Sequence, residues 1–364
     1  MKILRSYILK ELIISFILSL LIFTFVLFIG NIVKLAELVI TKGIAVGYVG
    51  RLFLYLLPYL LNYTIPMAVL TGTLLAFGRL CSDNEITALK AIGFNLSGIF
   101  VPAITLGLIL SLFSVMLNDQ IIPRAHFATR KLLAEIGTKK PTACLEEGTF
   151  IKTFKGYIIF IHKITGNKLK NIRIYQPQKG RPTRTITAES GEFIPMSEKN
   201  IVALKLINGS SDETNLKNPD NLYKLNFKTY YLTLDLASQL EKKDIQKKPK
   251  DMTIHELLDE IKKLSRSRIN TAPLVKEIHK KISLSFASFV FILIGIPLAL
   301  LAGRGEKSIG FGLSLGVIVV YYLLLMTAEA LAMKTNFNPA LCMWFPDILI
   351  GVTGIALFCL AVEK

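Results

Sequence analysis

Six stretches of this chain are apolar over about 20 residues each, the length a helix needs to cross the hydrocarbon core of a bilayer. They fall at about 12–33, 52–78, 98–118, 282–302, 309–333 and 342–362. With 52% hydrophobic and only 19% charged residues among 364, the composition is that of a membrane protein rather than a soluble domain. Lys2, Arg5 and Lys10 precede the first run as they do in a secretory signal. That run is too long, and no small-residue cleavage site follows it, so it reads as a retained first helix. The expected fold is a membrane α-helical protein: helices one to three in 1–118, an insertion at 119–281, and helices four to six in 282–364.

Orientation follows from Lys and Arg near the ends of the spans, leaving out the long insertion. With the N-terminus inside, eight basic residues lie in the inner segments: Lys2, Arg5, Lys10, Arg79, Lys90, Arg304, Lys307 and Lys364. Four lie in the outer short loops: Lys34, Lys42, Arg51 and Lys334. The bias puts both termini in the cytoplasm and the insertion outside.

The insertion changes period. Residues 124–136 continue the third span as a helix after Pro123. From about 142 to 236 the pattern alternates, as in Ile172 and Ile174 around Arg173, or Val202, Leu204 and Leu206 around Ala203 and Lys205. Turn chemistry is expected at Lys155-Gly156, Thr165-Gly166-Asn167, Gln176-Pro177, Glu198-Lys199-Asn200 and Asn208-Gly209-Ser210. Short strands without intervening helices favour an all-β domain, an antiparallel sandwich or open barrel. Thr253-Ile254-His255-Glu256 then has capping-box spacing and opens an amphipathic helix over about 253–266.

The insertion holds 31 Lys and Arg against 18 Asp and Glu, most of the chain's net charge of +17. A solvated surface explains many of these cations. Those at predicted outer helix ends, among them Lys34, Lys42, Arg124, Arg130 and Lys131, form a collar suited to anionic lipid head groups. Nucleic acid is a poor partner for a domain outside the cytoplasm. Of the four cysteines only Cys144 falls in the domain, so no disulfide within it is expected.

Several activities find no motif. Gly303-Arg304-Gly305-Glu306-Lys307-Ser308 lacks the spacing of a phosphate-binding loop, so no ATP site is expected on this chain. Gly312-Leu313-Ser314-Leu315-Gly316 has the letters of a nucleophile elbow but sits in a span, where small residues serve close helix packing. His126, His162, His255 and His279 show no metal-ligand spacing, and neither a metal nor any other cofactor is expected. Glu329 and Asp347 are the ionisable groups within spans, near their outer ends, so a secondary transporter stays open as a competing reading. So does a membrane-anchored periplasmic scaffold or sensor.

The loop between spans two and three is the most informative short segment. Ser82-Asp83-Asn84-Glu85 has capping-box spacing, and Gly93 stops the pattern, which predicts a helix over about 82–93 at the cytoplasmic face. Either Glu85 only caps that helix, or Glu85, Ile86, Leu89 and Lys90 form a knob that docks into a cytoplasmic partner and transmits its movement.

Four segments carry a resemblance to one family: Glu85-Ile86-Thr87-Ala88-Leu89-Lys90-Ala91-Ile92-Gly93, Glu277-Ile278-His279-Lys280-Lys281, Gly295-Ile296-Pro297-Leu298, and Asn338-Pro339-Ala340 to Trp344-Phe345-Pro346. In order and topology they resemble the LptF/LptG permeases of the lipopolysaccharide transporter, across essentially the whole chain. The resemblance does not separate LptF from LptG. It implies a non-catalytic half-transporter of the bacterial inner membrane that pairs with a second LptF/LptG-type permease. By the same resemblance, an LptB-like cytoplasmic ATPase dimer would drive the pair, which would lift lipopolysaccharide out of the membrane toward LptC/LptA-like periplasmic jelly-roll proteins. It further implies that the β domain is a jelly roll and that 82–93 is the coupling helix. Lys34 matches in type and place a basic residue that contacts lipid phosphates in the family, and Arg124 and Arg130 correspond to others.

Overall fold

In the computed structural model, the described residues are 2–93, 96–139, 148–151, 156–165, 168–178, 181–195, 201–214, 222–235, 247–266, 270–302, 307–333 and 337–363. The helices are α1 (Lys2–Ile40), α2 (Val46–Ser82), α3 (Glu85–Ala91), α4 (Leu96–Met116), α5 (Ile122–Lys139), α6 (Ile254–Arg266), α7 (Ala272–Ala302), α8 (Lys307–Leu331) and α9 (Pro339–Glu363). Six helical segments among them are long and apolar enough to cross a membrane, as the hydropathy pattern requires. Residues 1–31, 54–127 and 247–364 form one compact unit, and 32–53 with 128–246 form a second.

In the helical unit α2 and α7 are the most buried spans, while α1, α8 and α9 expose most of their surface. The centre is assembled by close backbone approach, the means by which helices associate where lipid is as apolar as their side chains. A Cβ at Gly354 of α9 would stand 2.9 Å from the Ile294 nitrogen of α7, and one at Gly72 of α2 would stand 2.9 Å from the Phe16 backbone of α1. Gly312 and Gly316 behave differently from expectation: among the described residues, nothing beyond their own helix lies within 4 Å of either Cβ position, so neither is seen to mediate packing against another helix of this chain. Between them Ser314 is buried and accepts from Thr71 at 2.9 Å. α2 and α7 run unbroken through Pro58, Pro66 and Pro297, so these prolines do not split spans.

The third span is extended, as expected, by helix after Pro123. Between α4 and α5 one π turn, Leu117–Ile121, intervenes. Pro123 has no N–H to give the carbonyl of Asp119 four residues earlier, and a wider turn before it absorbs that defect. The turn directs two consecutive polar side chains to separate partners. Asn118 donates to Asn62 at 2.6 Å and to Ser285 at 3.0 Å, while Asp119 accepts the backbone N–H of Ile254 at 2.7 Å.

The second unit contains an antiparallel sheet of β1 (Phe150–Ile151), β2 (Ile158–Thr165), β3 (Lys168–Gln178), β4 (Arg181–Pro195), β5 (Ile201–Thr214) and β6 (Leu222–Asp235). Each strand pairs with its neighbour in sequence, which gives the all-β antiparallel insertion expected from the alternation. Two expected turns lie inside strands instead. Gln176-Pro177 is within β3, where the missing proline N–H coincides with a shift of register between Gln176 and Gln178. Asn208-Gly209-Ser210 is within β5, where Asn208 has φ 53° and a Cβ on Gly209 would stand 2.2 Å from the Thr187 carbonyl. That glycine answers a close strand approach, not a reversal of the chain. The turn at 198–200 and Cys144 lie outside the described residues, as do parts of those at 155–156 and 165–167.

Asn208 belongs to a line that crosses the sheet. Pairing steps from Ile161↔Ile172 to Lys163↔Lys170, from Ile172↔Ala188 to Lys170↔Ser190, from Ala188↔Gly209 to Ser190↔Ile207, and from Gly209↔Phe227 to Ile207↔Thr229. The skipped residues are His162, Asn171, Glu189, Asn208 and Lys228, all exposed. On either side the apolar residues recur three apart, as in Ile161 and Ile164 or Leu169 and Ile172, yet they join a single cluster. On each of β2 to β6 two successive residues stay outside the apolar cluster, which bends the sheet along this line and keeps one apolar face.

Candidate functional site

The short helix α3 follows α2 after only Asp83 and Asn84. It begins later than its sequence pattern predicts, because α2 itself runs through Ser82. The capping box expected over Ser82–Glu85 does not form. Asn84 is the N-cap, held in the left-handed region at φ 58° without a side-chain cap bond. The Glu85 carboxylate instead accepts the Tyr7 hydroxyl of α1 at 2.9 Å. The same hydroxyl accepts from Arg79 at 2.8 Å, and Arg79 pairs with Glu11 at 3.0 Å and with Asp83 at 3.7 Å.

The four residues expected to couple to a partner therefore divide by face. Ile86 is buried and Leu89 half-buried in the apolar core shared by α1, α2, α4, α7, α8 and α9. Thr87, Ala88, Lys90 and Ala91 point outward, and Ile92, just beyond the helix, is 76% exposed. An isolated seven-residue helix is unstable in water, so α3 owes its place to Ile86 and to the Tyr7 contact. Glu11, Tyr7 and Arg79 carried no signal as a group, since they are separated by up to two spans in sequence.

The basic candidates lie on helical extensions. At 39 residues α1 is about 58 Å long, well over the ~30 Å hydrocarbon core, and its last two turns carry Lys34, which is exposed. Lys42 follows in the turn before α2 and is half-buried. On α5, Lys131 is exposed and Arg130 half-buried; these four residues all belong to the unit that contains the sheet. Arg124, also exposed, belongs to the helical unit. No group of His, Cys, Asp and Glu able to hold a metal occurs among the described residues.

A polar seam at the start of α6 was not legible as a site. The capping box does form there: Thr253 Oγ1 accepts the Glu256 N–H at 3.3 Å and Glu256 accepts the Thr253 N–H at 2.9 Å. The Lys247 ammonium hydrogen-bonds the Glu256 carboxylate and, with the Thr253 bonds, holds its pKa below the usual glutamate value. Lys281, buried in α7, donates to the Met252 carbonyl, and His126 pairs with the buried carboxylate of Asp251. Together with Asp119 these contacts dock α6 on the end of the third span and the start of the fourth. The two ionisable groups within spans are also engaged. Glu329 pairs with Lys280, while Asp347 accepts from Ser283 and from Tyr321, the latter at 3.0 Å.

Comparison with known proteins agrees with this architecture. An uncharacterized protein of Rickettsia prowazekii (strain Madrid E), RP871, is 26% identical over 289 residues, 79% of this chain and 78% of its own. The lipopolysaccharide export system permease protein LptF of Escherichia coli (strain K12) is 20% identical over 356 residues, 96% of this chain and 93% of its own. LptG of Haemophilus influenzae is 27% identical over 111 residues, 30% of this chain and 31% of its own. The family model for the lipopolysaccharide export system permease LptF/LptG matches residues 6–359, and the chain belongs to that family.

Proposed function

We propose that this chain is one permease half of an ATP-driven machine that extracts lipopolysaccharide from the inner membrane and hands it to a periplasmic bridge. The observation that carries the reading is α3, a short helix fixed to the ends of α1 and α2 with Thr87, Ala88, Lys90 and Ile92 turned outward. Such a helix is the size and kind of element that enters a groove of a partner, and an exposed isoleucine at its end favours burial there.

The energetics call for such a partner. Drawing a lipid with several acyl chains from the membrane opposes about 0.8 kcal/mol per CH₂. This chain has no nucleotide-binding loop of its own, so hydrolysis falls to a separate ATPase dimer in the cytoplasm. Both termini and α3 lie on that side, and the β domain, inserted after three spans, lies in the periplasm beside jelly-roll partners. Lys34, Lys42, Arg130 and Lys131 in the unit of the sheet, and separately Arg124 in the helical unit, are the candidates for contact with lipid phosphates. A second permease covers the open faces of α1 and α8, including Gly312 and Gly316. The ion pair of Glu329 and the hydroxyl bonds of Asp347 favour structural roles for both acids over the ion-carrying role of a secondary transporter.

Purification in mild detergent tests the reading. An ATPase subunit and a second permease are expected to remain bound, and added lipopolysaccharide to change the rate of ATP hydrolysis. A chain that retains neither, or a rate indifferent to the lipid, returns the protein to the scaffold or carrier readings.

A further inference from the structure

Glu85 is held from outside its own helix, and the manner of holding has a direction. Its Oε1 accepts the Tyr7 hydroxyl at 2.9 Å; that hydroxyl accepts from Arg79 Nη2 at 2.8 Å; Arg79 Nη1 stands 3.0 Å from Glu11 Oε1. Three helices meet in this chain of contacts. Tyr7 and Glu11 are one turn apart on α1, Arg79 is in the last turn of α2, and Glu85 opens α3.

Only the phenol can do what Tyr7 does here. A carboxylate accepts and a guanidinium donates, whereas a hydroxyl does both, so Tyr7 places α1 between Arg79 of α2 and Glu85 of α3. The chain already joins α3 to α2 through two residues. The covalent link therefore needs no help, and the Tyr7 bridge adds a tie to α1 that the chain does not provide. α1 is also the helix whose far end carries Lys34.

We propose that Tyr7 and Arg79 are positioning residues that lock α3 to the first turns of α1, so that thrust received by α3 reaches the first span as well as the second. The thrust rests on the ATPase reading above; the lock does not. Exposed contacts of this kind add little to global stability, while charge-assisted hydrogen bonds fix geometry well. Loss of the bridge should therefore appear in coupling and not in folding.

The test uses the full-length chain in lipid nanodiscs, with spin labels on Arg5→Cys and Ala88→Cys and the native cysteines replaced by alanine. Tyr7→Phe is expected to broaden the distance distribution between α1 and α3. Adding Glu85→Gln to Tyr7→Phe should broaden it no further, since the same bridge is already gone. A distribution unchanged by Tyr7→Phe overturns the lock. In the second arm the complex with its ATPase is reconstituted into vesicles containing lipopolysaccharide. Tyr7→Phe should leave ATP hydrolysis within about twofold and lower the lipid moved per ATP by about fivefold, the scale of one lost hydrogen bond at a solvent-exposed site. An unchanged ratio overturns the delivery of thrust to α1. If the unmodified chain binds no ATPase, the functional reading and the thrust fall together, and the distance measurement alone decides the lock.

Discussion

The amide of Asn118 donates to the Asn62 carbonyl oxygen at 2.6 Å, joining the third span to the second in the interior of the bundle. The same amide lies 3.0 Å from Ser285 Oγ and 3.1 Å from the Ser114 carbonyl, so three helices converge on one side chain. Asn118→Leu keeps the branched shape and removes every bond of the amide, so that the buried Asn62 oxygen loses this donor while Ser285 still donates to the Lys281 carbonyl. The unfolding midpoint in a detergent titration should fall by the equivalent of about 1–2 kcal/mol. An unchanged midpoint would mean that these polar groups find other partners.

Gly354 and Gly312 should respond oppositely to alanine. A methyl on Gly354 meets backbone atoms of Leu293 and Ile294 at 2.9–3.1 Å, and backbone cannot swing aside, so Gly354→Ala should cost about 1–3 kcal/mol. Gly312→Ala meets nothing within 4 Å among the described residues and should raise the melting temperature of the isolated chain slightly, because alanine favours the helix over glycine. If a second permease covers α8, Gly312→Leu lowers the yield of the pair in size-exclusion chromatography without lowering that temperature.

The start of α6 should loosen in acid. The Glu256 pKa is depressed by the Lys247 hydrogen bond and by Thr253, so the carboxylate contributes stability above its unfolded value of about 4.3 and loses it as pH falls through the lower folded value. Its side chain is 40% exposed, so solvent screens much of the effect and the change stays local. Amide exchange at Glu256, corrected for intrinsic rates, should accelerate below pH about 4. Glu256→Gln should exchange at one corrected rate across that range.

Glu85→Ala should weaken coupling more than folding, because Ile86 still anchors α3 in the core. Lipid transport is expected to drop severalfold while the chain expresses, melts and binds its partner as before. A normal transport rate with normal partner binding would refute the coupling role.

Lys34→Glu should reduce lipid loading. The residue is exposed near the far end of α1, and reversing its charge turns attraction for a phosphate into repulsion. Photocrosslinking to lipopolysaccharide from that helix is the readout. Crosslinking that survives the reversal would remove Lys34 from the lipid path, and Lys34→Arg should preserve it.

Much of this was readable along the chain because it depends on local pattern. The six spans follow from runs of apolar residues, and the strands from alternation such as Ile172 and Ile174 or Leu204 and Leu206. The capping box at Thr253 and Glu256 formed where its spacing put it. At Ser82–Glu85 the same spacing misled. α2 had enough buried surface to continue through Ser82, and Glu85 found a partner on α1 that local spacing does not represent. Asn208-Gly209 misled for a related reason: asparagine and glycine serve equally in a turn and in a strand bent against its neighbour, and only the Thr187 carbonyl close to Gly209 distinguishes the two.

The sequence by itself determined that this protein has six apolar helices interrupted by one insertion with an antiparallel β sheet between two helices, because hydrophobic length and period are properties of consecutive residues. Only the tertiary structure decided which polar residues act together. Tyr7, Arg79 and Glu85, or Asn62, Asn118 and Ser285, are separated by whole spans, and helix packing alone brings them within hydrogen-bonding distance. Hydrogen bonds act over about 3 Å and take no account of sequence separation, so no reading of neighbouring residues contains them.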